Sequence, residues 1–204
     1  MKKSYKKSYF MKTYNLLRNL GLLVFIFAIL SAFLKILSLM YLKIVLNLPF
    51  KNQILTGIEL LYNGVFLITL LGLVILLLLI IIELYKRISN DSLLNLPKSI
   101  IATSRFRHFL KQHKIVDRWD NELYSQSQSR IIVSFNHAVD KSVIDLTRKE
   151  LRLFIQIPKE AQSTEILNKQ RILIKQHIFS FYSEYIISDF KEEKFSLWIV
   201  GTKK

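Results

Sequence analysis

Side chains able to do chemistry are few in this chain, and their spacing assembles none of the familiar centres. Cysteine is absent, and the four histidines, His108, His113, His137 and His177, match neither an HExxH helix nor a Cys/His metal cluster. They read as surface or packing histidines. Asp117, Asp120 and Glu122, within IVDRWDNEL, are close enough in sequence to hold a cation, but a solvated helix or loop face accounts for them more simply. No GxSxG elbow is present. The single phosphate-loop candidate, GTKK at Gly201 to Lys204, lacks a second glycine, a Ser or Thr after the lysine, and a helix behind it. The expectation is a protein that is not an enzyme, with no catalytic, cofactor-binding or metal-ligating residue and no cofactor.

What remains is positive charge. The formal net charge is +15, and Arg105, Arg107, Lys111, Lys114 and Arg118 are the functional candidates within it, a possible contact for anionic lipid or nucleic acid. Trp119 and Tyr124 follow closely and could stack on bases. No nucleic-acid-binding motif accompanies these residues, so direct binding rests on charge alone.

The elements that position this charge are apolar. Leu60 to Ile82 is 23 residues without a charge, and about 20 suffice to cross a bilayer core of roughly 30 Å. Asn19 to Leu46 forms a second apolar stretch, interrupted by Lys35 and Lys43, which spans if Lys35 snorkels toward the headgroups. A cleaved secretory signal competes for this first stretch, since a basic region precedes it and Ala28, Ser31 and Ala32 are small. Lys2, Lys3, Lys6, Lys7, Lys12 and Arg18 precede Gly21 with no acid among them, and Lys86 to Arg118 holds eight more Lys or Arg. The positive-inside rule places both termini in the cytoplasm of a two-span cell-membrane protein.

The organisation expected is a basic cytoplasmic tail (1–18), two transmembrane helices within 19–85 (about 20–42 and 60–85), a basic juxtamembrane connector (86–118) and a small cytoplasmic domain (119–204). In the connector, Ile100, Ile101, Phe106, Phe109 and Leu110 recur at helical spacing, either on the inner leaflet or packed on the domain. RIIVSF, Arg130 to Phe135, reads as a short strand, and ELRLFIQIP as a strand burying Leu151, Leu153, Ile155 and Ile157 before Pro158. Ser163 or Thr164 is expected to cap a long helix whose apolar stripe runs from Ile166 through Leu173, Ile174, Ile178 and Phe181 to Tyr185. IISDF, the charged turn KEEK and FSLWIVG complete a strand pair. The fold class is membrane α+β, a two-helix transmembrane hairpin followed by a β-β-α-β-β domain.

Two closely spaced spans after a basic N-terminus, a basic connector, then RIIVSF, ELRLFIQIP, EILNKQRILIKQHI and FSLWIVG resemble the N-terminal membrane-anchor and pre-motor region of the FtsK/SpoIIIE-like conjugation coupling proteins of Gram-positive elements. The Walker motifs of that family are missing here, so no ATPase residue carries over. The resemblance implies a stand-alone membrane subunit of plasmid conjugation, DNA transfer or secretion machinery. Rich use of Lys, Ile, Leu, Asn and Phe agrees with an AT-rich coding source of that kind. The partners expected are the lipid bilayer, a protein in a membrane assembly, and a second copy of the chain in a homo-oligomer. The competing function is a small membrane immunity or stress protein acting against a pore-forming peptide.

Overall fold

The computed structural model describes residues 5–43, 50–113 and 122–204. The chain divides into two compact units, Thr13–Leu84 and Met1–Lys12 with Tyr85–Lys204.

Thr13–Leu84 is built from two helices, α1 (Tyr9–Lys43, 35 residues) and α2 (Lys51–Asn90, 40 residues). At 1.5 Å per residue they run about 52 and about 60 Å, so each is long and apolar enough to cross a membrane with turns to spare. Their apolar side chains are bare: Phe25, Ile29 and Phe33 on α1, and Leu67, Leu71 and Leu78 on α2, are all exposed. Gly21 faces Leu76 and Gly72 faces Val24, so the helices run antiparallel. A Cβ on Gly72 would lie 2.7 Å from Val24 Cγ2, and this glycine is therefore what permits the backbones to close there. Lys35 lies with Nζ 5.0 Å from the ring centroid of Tyr62, a cation–π contact within the hairpin.

The other unit is an antiparallel sheet with helices on one face and one edge. Its elements are α3 (Asn95–Leu110), α4 (Glu122–Val139), β1 (Val143–Leu146), β2 (Glu150–Gln156), α5 (Ala161–Phe181), β3 (Tyr185–Ile187), β4 (Lys191–Glu193) and β5 (Ser196–Lys203). The sheet order is β1-β2-β5-β3, with β4 also paired to β5. Leu153 opposes both Ile144 and Ile199, and Leu151 opposes Leu146 and Gly201, so one face is a continuous aliphatic layer. Leu167, Ile174 and Ile178 of α5, Phe135 and Val139 of α4, and Phe106 and Leu110 of α3 close over it. Gly201 is required within that layer: a Cβ there would meet Tyr185 Cβ at 3.1 Å and Leu151 Cβ at 3.3 Å.

Several expectations are corrected. RIIVSF is not a strand but lies within α4, where Phe135, Ala138 and Val139 are buried and Val133 is exposed, a 3.6-residue pattern. A short apolar run fits either period, and burial against α5 settles it; Ser163 Oγ donates to the Ile131 carbonyl at 2.9 Å. The first strand is instead VIDL, making the sheet order along the chain β-β-α-β-β-β. Neither Ser163 nor Thr164 caps α5, which begins at Ala161 after an extended Glu160, and Tyr185 has left the helix for β3. Leu173 and Phe181 fall outside the buried stripe. KEEK is more than a turn: Lys191–Glu193 pairs with Trp198–Ser196, and Lys194 and Phe195 alone make the reversal.

Candidate functional site

Polar groups in the domain gather in two places, and the first holds the fold together. β1 is an edge strand whose outer backbone groups would be left unpaired in a buried setting. Helix α3 lies along that edge with Ser99, Thr103 and Arg107 at successive i, i+4 positions. Thr103 Oγ1 accepts from the Ile144 amide at 3.0 Å and donates to the Ile144 carbonyl at 3.1 Å. Ser99 Oγ accepts from the Leu146 amide at 2.9 Å, and Arg107 Nε donates to the Ser142 carbonyl at 2.8 Å. Side chains of a helix thus stand in for a neighbouring strand.

At the end of the same strand, Arg87 donates to the Leu146 carbonyl and Asp91, both at 2.9 Å, and pairs with Asp145. Burial alone would raise the Asp91 carboxyl. The Arg148 amide, with Asn95, Arg87 and the Ser92 amide, holds it below the usual carboxylate range instead.

This geometry sorts the basic residues singled out by sequence. Arg107 is buried and committed to β1, so it is not a surface contact. Arg105 is exposed on the opposite side of α3. Lys111 pairs with Asp140 at 2.9 Å, at half-exposed positions. Lys114, Arg118, Trp119, Asp117 and Asp120 lie outside the described residues. The histidines do not converge, and among the described residues no three His, Asp or Glu side chains approach one another closely enough to hold a metal. His177 is part of an aromatic stack, its ring 4.0 Å from that of Phe109 and 4.6 Å from that of Phe181, and burial pushes its pKa down.

The second polar gathering lies on the opposite sheet face, where Phe154 of β2 and Trp198 of β5 are neighbours in register. Their rings meet edge to face at 5.2 Å, and the Trp198 indole donates to Ser196 Oγ at 3.0 Å. Residues at the start of the chain cover part of this face. The Tyr5 ring lies 6.3 Å from Trp198, Lys7 Nζ sits 3.5 Å over the Phe154 ring, and Lys191 Nζ sits 4.2 Å over Tyr5. Burial of its head, and then Lys141, lower the Lys7 pKa.

Between this cover and the β4–β5 hairpin lies a recess of about 1050 Å³. Lys6, Lys7, Lys12, Lys159 and Lys194 line it against a single acid, Glu193. Among the described residues none of these lysines has a carboxylate within ion-pair distance. Its floor is aromatic, formed by Phe154 and Trp198. By sequence, KKSYKKSYF reads only as tail charge. The interleaving of Lys with Tyr and Phe was a visible signal of cation–π packing, but which aromatic rings it would meet depends on the sheet register.

A third surface is apolar. Ile172 and Phe179 of α5, with Ile186 of β3, flank a groove of about 460 Å³, and these three side chains are 60–71% exposed. Among the described residues β3 pairs with β5 alone, leaving its other edge open beside the groove.

No protein-family model matches this chain, and no curated protein or solved structure is significantly similar to it.

Proposed function

We propose that this chain is a non-catalytic integral membrane subunit that anchors a protein partner at the cytoplasmic face of the cell membrane. The observation carrying the reading is the apolar groove of α5 and β3. Ile172, Phe179 and Ile186 expose large hydrophobic surfaces beside an open strand edge, on a unit separate from the two lipid-length helices. Each such side chain, once covered, contributes about 1.5–3 kcal/mol, and an open edge adds backbone hydrogen bonds from a partner strand. The buried polar side chains of α3, Ser99, Thr103 and Arg107, are spent on the backbone of β1 and Ser142, which fits a scaffold better than a reaction centre. On the likeness to the membrane-anchor region of conjugation coupling proteins, the assembly we propose it serves is DNA-transfer or secretion machinery.

The test is isolation from native membranes in a gentle detergent, comparing the natural chain with Ile172→Asp/Ile186→Asp. A defined larger complex that contains the natural chain and releases the variant is the expected result. Recovery of the natural chain as a monomer, or a complex that holds both chains equally, defeats the proposal.

A further inference from the structure

We infer that the lysine-lined recess on the Phe154/Trp198 face is a binding site for a phosphate-bearing anion, supplied by the headgroup of an acidic phospholipid. The recess carries five lysines and one acid, and those lysines lack internal carboxylate partners among the described residues. Clustering unpaired ammonium groups around one cavity costs repulsion, which a phosphate dianion or diester relieves. Lysine supplies this as a compact point charge with rotatable donors, suited to an anion whose orientation varies.

The rim explains why the anion is a lipid's. Lys194 and Phe195, at φ 47° and 57°, form the two-residue turn joining β4 to β5, in the left-handed conformation that Asn-Gly ordinarily fills. The result is a phenylalanine 86% exposed at a hairpin tip, beside Lys194 and on the lining of the lysine recess. That is the pattern of an interfacial contact, in which the ring enters the acyl boundary and the ammonium groups hold headgroups. Lys12, also lining the recess, comes eight positions before Leu20 in the sequence, where the apolar run begins. The lipid site rests on the membrane reading above, lies on a different surface from the α5/β3 groove and does not require a protein partner.

Trp198 reports on the recess because it lines it. The full-length chain carrying Trp119→Phe, which leaves Trp198 as its single tryptophan, is placed in nanodiscs containing brominated phosphatidylglycerol or brominated phosphatidylcholine. Quenching at least twofold stronger by the anionic lipid is expected. Lys159→Ala/Lys194→Ala should abolish that preference, whereas Lys98→Ala/Lys149→Ala, which removes the same charge from exposed positions elsewhere, should retain it. Phe195→Ser should reduce quenching by both lipids. A parallel arm titrates inorganic phosphate into discs of phosphatidylcholine alone: a saturable change in Trp198 emission, with no lipid preference, keeps the anion site but assigns it to a soluble phosphate compound. Equal quenching by both lipids together with no response to phosphate overturns the inference. So does a preference that the two lysine pairs weaken equally, because bulk charge then accounts for it.

Discussion

Thr103→Val tests whether α3 really replaces a missing strand along β1. Valine has nearly the shape of threonine, so the substitution exchanges one hydroxyl for a methyl and leaves the packing volume much the same. That hydroxyl both accepts from the Ile144 amide at 3.0 Å and donates to its carbonyl at 3.1 Å, and Thr103 and Ile144 are each 0% exposed. Two backbone groups therefore lose their partner where water cannot reach. Each such loss costs about 1–3 kcal/mol, and the added methyl returns about 0.8 kcal/mol, so the net destabilisation is about 1–5 kcal/mol. A domain of this size has about 5–15 kcal/mol in total, so the midpoint of thermal unfolding should fall by about 10 °C. The assay is denaturation of the full-length protein in detergent micelles, paired with hydrogen exchange at the Ile144 amide. Thr103→Ser, which keeps the hydroxyl, is the control. Protection of Ile144 should drop in the valine variant and persist in the serine variant. A loss under about 0.5 kcal/mol in Thr103→Val, or unchanged protection of Ile144, refutes the edge-capping argument.

Two further outcomes follow from the packing. Tyr185, whose hydroxyl donates to the Thr147 carbonyl at 2.9 Å, has its pKa pushed up to about 12 by burial first, then by Glu184, Asp91 and Tyr182. Because the folded state keeps this proton longer than the unfolded chain, its contribution is complete below pH 10 and is lost as pH rises toward 12; partial solvent screening limits it to about 1 kcal/mol. The stability difference between the natural chain and Tyr185→Phe should shrink over that window, and a difference that stays constant with pH contradicts the assignment. In the hairpin, Gly72→Ile should lower several-fold the yield of a short cross-link between Gly21→Cys and Leu76→Cys, whereas Gly64→Ile, where a Cβ meets nothing within 4 Å, should leave it intact. Equal yields would show that the helices do not meet at Gly72.

Much of the architecture is legible in one dimension because burial with a regular period leaves a local trace. Leu60 to Ile82 announces a lipid-length helix by length and the absence of charge. Leu151, Leu153 and Ile155 announce a strand because alternate residues point to one face, and they are buried as expected. Local pattern fails where two periods fit the same residues or where the partner is distant. RIIVSF satisfies a strand and a helix equally, and only contact with α5 selects the helix. Lys191–Glu193 has no apolar face and becomes a strand solely through backbone pairing to β5.

The same division applies to the surfaces. Sequence alone established two lipid-length apolar helices, an excess of positive charge and the absence of cysteine, since these are properties of composition and local order. Tertiary packing decided what each charge does. Arg107, read as a surface contact, is buried against β1, because the helix face that meets an unpaired strand edge must carry donors. Lys7, read as tail charge, lies over Phe154, and Lys159 and Lys194 join it at one recess although 152 to 187 residues of chain separate them. A convergence of that kind is set by sheet register and by where the N-terminal segment lies, and neither is written in the neighbourhood of any one lysine.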